Sequence, residues 1–290
     1  MYEHFARRDV AAEYASFDFL FDGERAILEE LRPRLGEARM LDLGVGGGRT
    51  TAHFAPAVRQ YVGVDVSAPM VEACVERFAG ALGDHVSFGV ADARDLATFE
   101  AGSFDFVLFS FNGLDLVGGE DDRLRALREI HRVLADGGVF CFSSHNLAFT
   151  RRYLSPVRSL ARVLRDVRGD PAALVRRPRT LLDAIGRPLR ERRLNPALRS
   201  VLRAGRGLVA EERPRFELDA RPYVRPGERI VASKYRILPG EQLAQLRDVG
   251  FRGARIFAVD GTELSVRRSA ELAEHMWLHY LCEKGPPGGA

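Results

Sequence analysis

The chain has 290 residues, 46% of them apolar and 29% charged, with a net charge of +3. That composition supports an ordinary buried core and excludes wholesale disorder. No apolar run reaches the ~20 residues of a membrane-spanning helix, and an amino terminus carrying Glu3, Arg7, Arg8 and Asp9 has no apolar signal-peptide core, so a cytoplasmic protein is expected. Three scattered cysteines, Cys74, Cys141 and Cys282, lack ligand spacing, and no metal site is predicted.

From Tyr2 to Leu35 apolar positions recur with partial helical spacing and stop at Pro33 and Gly36, which predicts one or two helices before the first strand. Between Arg39 and Asn146 strands are expected near 39–43, 60–65, 86–90, 104–110 and 138–144, with helices near 49–57, 68–81 and 120–135. Alternation at this spacing argues for an α/β fold, a parallel sheet covered on both faces. In the third of these helices Leu124, Leu127, Ile130, Val133 and Leu134 share a face, His131 lies off it, and Asp136-Gly137-Gly138 offers a left-handed stop.

Residues 151–230 differ in character, holding 21 arginines, no lysine and nine acidic residues, a net of +12 in a chain that totals only +3. Apolar residues from Tyr153 to Val167 recur at helical spacing among these arginines, so a basic amphipathic helix is expected, with further helices over Arg179–Arg193 and Pro196–Arg206. Arg229–Leu238 then reads as extended, Pro239-Gly240-Glu241 opens a helix, and Arg255–Val259 and Met276–Cys282 read as strands.

Met40-Leu41-Asp42-Leu43-Gly44-Val45-Gly46-Gly47-Gly48-Arg49-Thr50 reads as a strand, a glycine turn and the start of a helix, a place where a ligand can be held against bare main chain. A dinucleotide fingerprint would need a third glycine where Arg49 stands. Further on, Gln60–Asp65 is an apolar strand ending in a carboxylate about twenty residues past the turn, where ribose hydroxyls can be accepted. Val86–Ala93 contains Asp92, and Ser103–Asn112 forms another strand and its end.

These segments together resemble the motifs of class I S-adenosylmethionine-dependent methyltransferases. The resemblance implies a Rossmann-like, seven-stranded, mostly parallel sheet of order 3-2-1-4-5-7-6 with helices on both faces. It also implies S-adenosylmethionine as cofactor, with Asp42, Gly44, Gly46 and Gly48 at its methionine end, Asp65 and Val66 at the ribose, Asp92 and Ala93 at the adenine, and Ser110 at the amino group. Arg49 is a further candidate, for the carboxylate. On this reading residues 1–36 form an N-terminal helical lid, 37–150 the cofactor-binding core, 151–228 an arginine-rich, mainly helical insertion, 229–284 the rest of the core and 285–290 a tail; the insertion is expected to cap the acceptor site, with a solvated basic face the next reading and contact with nucleic acid or acidic lipid the third.

Candidate catalytic residues are His145, a side chain suited to proton transfer at a strand end, and Tyr14, which either closes the site or packs a helix against the sheet. Phe111, Asn112, His145, Asn146 and Tyr235 are candidate acceptor contacts from expected position. Taken singly, Asp92 is more often a turn residue capping the helix after it, Asp65 is nearly as ambiguous, and His145 is equally a loop histidine held by hydrogen bonds. The expected reaction is methyl transfer to nitrogen or oxygen of a small metabolite, natural product or short peptide, anionic acceptors included, with an amine slightly ahead. The alternatives are an inactive cofactor-binding or regulatory protein, a nucleic-acid methyltransferase and an NAD-dependent dehydrogenase. Nucleic acid is the weaker partner, because few aromatics accompany the arginines.

Overall fold

The computed structural model describes residues 2–154, 215–219 and 232–285. Three helices come first, α1 (Tyr2–Phe5), α2 (Arg8–Ala15) and α3 (Asp22–Leu35), followed by β1 (Arg39–Leu43), α4 (Thr51–Phe54), β2 (Gln60–Asp65), α5 (Ala68–Phe78), β3 (Val86–Val90) and β4 (Phe104–Phe109). Next come α6 (Glu120–Val133), β5 (Leu134–His145), α7 (Leu147–Phe149), β6 (Arg215–Asp219) and β7 (Ala232–Arg236). The described chain closes with α8 (Pro239–Val249), β8 (Phe251–Phe257), β9 (Glu263–Leu264), α9 (Ser269–Leu272) and β10 (Trp277–Lys284).

The main sheet has eight strands in the order β3-β2-β1-β4-β5-β10-β8-β9, and β6 pairs with β7 in a separate two-stranded sheet. Leaving that pair aside, the order is the expected 3-2-1-4-5-7-6, extended at its edge by the two residues of β9. Strands β1 to β5 run parallel, so their carboxyl ends share one edge. β10 runs antiparallel to β5 and sets Trp277 directly opposite His145 at that edge.

The central strands show why the sheet is covered on both faces. In β4, Phe104-Asp105-Phe106-Val107-Leu108-Phe109, all positions but Asp105 are buried, the near-continuous apolar run of a strand without a wet side. Val107 and Phe109 join Leu127, Ile130 and Val133 of α6 and Leu246 of α8 in one core cluster. Phe106 and Leu108 join Ile27, Leu28, Leu31 and Leu35 of α3 and Phe54 in the other. The acidic first turn of α6, Glu120-Asp121-Asp122, complements the positive end of its dipole.

Three expectations need amendment. Pro33 does not end α3, which runs on to Leu35; its missing N–H frees only the carbonyl of Glu29, an exposed residue that water can reach. Gly137 is left-handed (φ 73°), but it lies inside β5, where the register on β4 shifts between Phe104 and Phe106. That stretch is therefore a bulge, and α6 has already stopped at Leu134, whose backbone is extended. Within the basic segment expected to be mainly helical, residues 215–219 form β6. The helices expected near 155–214 and the tail at 286–290 lie outside the described residues.

The N-terminal layer is fitted to the glycine turn at one point. A Cβ on Gly47 would stand 2.2 Å from the Ala15 nitrogen and 2.4 Å from the Tyr14 carbonyl carbon, and main chain cannot yield as a side chain can. Gly47→Ala is therefore predicted to lower stability by about 1–3 kcal/mol. Gly36→Ala, with φ −53° and nothing within 4 Å, should cost nothing or stabilise slightly. Urea unfolding of the two variants checks this, and equal stabilities would contradict the contact.

Candidate active site

The carboxyl edge of the parallel strands gathers most of the expected cofactor residues. Gly44, Gly46 and Gly48 have φ of 62°, 56° and 81°, values that side chains disfavour. They do not all serve the same space. Gly44 is exposed and Gly46 half-buried, whereas Gly47 meets α2 and a Cβ on Gly48 would strike the Phe78 ring at 2.4 Å. Gly44 and Gly46 thus leave main chain at the cleft, although a Cβ on Gly44 would also stand 2.9 Å from the Phe109 ring, while Gly47 and Gly48 admit neighbouring backbone and side chain.

Asp65 ends β2 beside that turn. One carboxylate oxygen accepts the Gly46 N–H at 3.0 Å and the other accepts the Ser67 N–H at 2.9 Å, and each keeps a further lone pair for a hydroxyl. Burial raises its pKa above the usual value, with the backbone donors opposing the rise. Val66 beside it is 39% exposed. Asp92, beyond β3, is already engaged, since Arg94 grips both of its oxygens and bridges to Asp122; Ala93 is buried.

Asp42 does not face the cleft. Fully buried, it accepts hydrogen bonds from Thr50 (2.6 Å) and Tyr61 (2.7 Å), so it braces the helix after the turn. Arg49 is likewise turned inward. Its guanidinium pairs with both oxygens of buried Glu24 at 2.7 Å and also donates to the Phe19 carbonyl and the Ser110 hydroxyl. Burial would raise the Glu24 pKa, but the bonds and charge of Arg49 hold it below the usual carboxylate value. This pair fastens α3 to the glycine turn, and Arg49 is no free cation for a ligand carboxylate.

At the end of β4 the chain reverses through Ser110–Gly113, closed by a 3.1 Å bond from the Gly113 N–H to the Ser110 carbonyl. Its central residues, Phe111 and Asn112, both have positive φ, 51° and 60°, as a type I′ turn requires. Asn112 is buried and its N–H donates to Ser143 Oγ at 2.7 Å, while Phe111 stays 40% exposed.

His145 closes β5 with Nδ1 2.8 Å from Asp115 Oδ2. Asp115 lies in the turn just after Phe111-Asn112 and is fully buried. It also accepts from the His145 backbone N–H (2.5 Å), Ser144 Oγ (2.7 Å) and Arg123 (2.7 Å). Burial alone would raise its pKa; the bond from His145 and the charge of Arg123 outweigh it and hold the carboxyl low and ionised. Because a carboxylate only accepts, the neutral imidazole carries its hydrogen on Nδ1 and its lone pair on Nε2.

Two expected acceptor contacts lie elsewhere. Asn146 spends its amide on the Leu272 and His275 carbonyls and on the Ala148 N–H, so it is a structural bracket. Tyr235 is buried beneath Arg123, whose guanidinium carbon is 4.7 Å from the ring centroid. Tyr14 lies over the turn, a Cβ on Gly46 being 3.6 Å from its ring, and packs edge-on to Phe5. Sequence reasoning missed Asp115, Arg123 and Glu24. A cavity of about 500 Å³ lined by Arg39, Arg59, Asp105 and Gly137 opens at the opposite end of the sheet, away from the strand ends where such folds bind ligands.

Comparison with known proteins gives the same class. Residues 40–138 match the methyltransferase domain family. The chain is 38% identical over 130 residues to a demethylmenaquinone methyltransferase of Clavibacter sepedonicus, 44% of this chain and 50% of that protein. Over 110 residues it is 34% identical to the uncharacterized methyltransferase YcgJ of Bacillus subtilis (strain 168), 38% of this chain and 41% of that protein. The chain thus spans half or less of the length of these curated relatives. The structure of an S-adenosylmethionine-dependent methyltransferase from Clostridium acetobutylicum ATCC 824 superimposes with a TM-score of 0.58 at 13% identity, covering 93% of this chain and 94% of that one, which speaks to the fold. Residues 40–138 thus match a methyltransferase domain, and the fold is the one seen in S-adenosylmethionine-dependent methyltransferases.

The residues present fit that cofactor. Bare main chain at Gly44 and Gly46 leaves a cradle that a Cβ at Gly46 would fill toward Tyr14, and a half-buried carboxylate stands beside it at Asp65.

Two predictions follow from these carboxylates. Loss of the Asp65 acceptor should weaken S-adenosylhomocysteine binding, and Asp65→Ala is expected to cost roughly ten- to hundredfold in affinity by calorimetry; an unchanged affinity would remove the ribose assignment. Burial lifts Asp42 to about 6. A carboxyl raised in this way supports the fold fully below its unfolded pKa and loses that support as pH climbs through the folded one, a change of about 3 kcal/mol. Urea unfolding should therefore show wild type falling relative to Asp42→Asn between about pH 4 and 7, and a pH-independent difference would contradict the buried acid.

Proposed function

We propose that the protein transfers a methyl group from S-adenosylmethionine to an oxygen or nitrogen of a small molecule, with His145 receiving the acceptor's proton. The observation that carries this is the Asp115–His145 hydrogen bond of 2.8 Å, placed on the same sheet edge as the glycine turn and Asp65. When bound, the cofactor supplies a methyl group on a sulfonium, which departs as neutral S-adenosylhomocysteine as the methyl-to-acceptor bond forms.

The chain's own part is positioning and proton removal. Asp115 fixes the ring and its tautomer, so Nε2 is the basic atom, and among the described residues no hydrogen bond occupies it. Four donors keep Asp115 from moving, and its held-down pKa means that it stabilises the imidazolium without itself taking the proton. The His145 side chain is 13% exposed, open enough to be reached and buried enough that water does not compete freely. A hydroxyl, which must lose a proton to become a good nucleophile, benefits more from this pair than an amine delivered neutral. That moves the reading toward oxygen.

His145→Ala is expected to lower kcat for a hydroxyl acceptor by roughly 10²–10⁴ and for an amine acceptor far less, with S-adenosylhomocysteine affinity retained. Steady-state assays on both acceptor types, with calorimetry on the variant, provide the check. Undiminished turnover of the hydroxyl would eliminate the proposed base.

A further inference from the structure

Six rings run in contact along the carboxyl edge, from Tyr14 over the glycine turn through Phe17, Phe19 and Phe21 to Phe111 and Trp277. Phe21 is the hub, with its centroid 5.7 Å from Phe111 and 5.6 Å from Trp277. Trp277 in turn is the strand partner of His145. The aromatic wall therefore ends at the proposed base.

Two of its members are placed where folding alone would not leave them. Phe111 takes the left-handed φ of 51°, which bulky residues rarely adopt, at a turn position that Asn or Gly would fill without strain. Its ring is nevertheless 40% exposed, and Phe19 is 39% exposed. Strain of this kind concentrates at ligand sites, and exposed rings continuous with a site are surface that a ligand can cover.

The wall also packs against a cation of the chain itself. The Arg49 guanidinium carbon lies 5.1 Å, 5.3 Å and 5.5 Å from the centroids of Phe19, Phe21 and Phe111, so these rings already have their cation. A neutral ring finds Phe111 and Trp277 as stacking partners, with a hydrogen-bond acceptor, His145 Nε2, at the end of the wall.

Resting on the methyl-transfer reading above, we infer that the acceptor is a planar aromatic molecule bearing a hydroxyl, of the phenol or naphthol class, whose ring lies against Phe111 and Trp277 with its hydroxyl toward His145. Selectivity comes from the ring's flatness and not from its apolar area.

The test compares 2-naphthol with decahydro-2-naphthol, its saturated and more apolar counterpart, on the full-length protein saturated with S-adenosylhomocysteine. Calorimetry should show 2-naphthol binding roughly tenfold more tightly. Trp277 is the only tryptophan of the chain, so its single indole N–H resonance should move with 2-naphthol and not with the saturated alcohol. Phe111→Gly should abolish the preference while the variant still folds and binds S-adenosylhomocysteine, since glycine takes this φ freely and offsets the loss of the ring's contacts with Phe21 and Arg49. Equal affinities, no naphthol binding, or an indole signal that stays still would overturn the inference while the heat of S-adenosylhomocysteine binding upholds the donor assignment. Absence of that heat would overturn the methyl-transfer reading and the inference with it.

Discussion

A carboxylate taken out of water without partners costs several kcal/mol, and Asp115 escapes that cost because four donors from two other parts of the chain converge on it. Arg123 comes from α6, Ser144 and His145 from the end of β5, and Asp115 itself from the turn after β4. None of these groups could be buried alone. Arg123 is equally dependent, with no exposed surface and bonds to Asp115, Gln242 and the Leu114 carbonyl. The network therefore joins turn, strand and two helices into one rigid support, and it fixes one imidazole in one tautomer at the edge where the strands end.

A second buried pair does the corresponding work on the other side of the sheet. Glu24 and Arg49 connect α3 to the glycine turn, with Ser110 bonded to both, so the cofactor cradle and the N-terminal aromatic residues are held by the same ion pair. Gly23, one residue earlier, donates its N–H to the Val259 carbonyl at 2.9 Å. The start of α3 thereby stays at the carboxyl edge, and Phe21 stays between Phe111 and Trp277. The glycine turn, the ring wall and His145 belong to a single framework and need no separate explanations.

Much of the fold was legible because a parallel sheet writes itself plainly. Apolar runs ending in Gly44, Asp65 and Ser110 gave the strand ends, and strand ends give the ligand edge. Side-chain direction was less legible. Asp42 and Arg49 sit at the expected positions yet point into the protein, because Thr50 and Tyr61 in one case and Glu24 in the other supply partners from elsewhere in the chain. Asn146 and Tyr235 were expected near the acceptor from position alone, yet Asn146 brackets the Leu272 and His275 carbonyls and Tyr235 is buried against Arg123. Arg123 did leave a signal: it stands four residues before Leu127 and seven before Ile130, on the apolar stripe of its helix. A cation on that stripe demands a buried acid, and Asp115 lies eight residues away.

The central claim is that the donor lies along the carboxyl edge, with its adenosine over Asp65 and its sulfur toward His145. A crystal structure with S-adenosylhomocysteine tests it most directly. The account predicts density running from Asp65 across Gly44 and Gly46, with the sulfur on the side of His145 and Phe111. Density at the opposite end of the sheet, by Arg39 and Asp105, or an orientation that turns the sulfur away from His145, would contradict it.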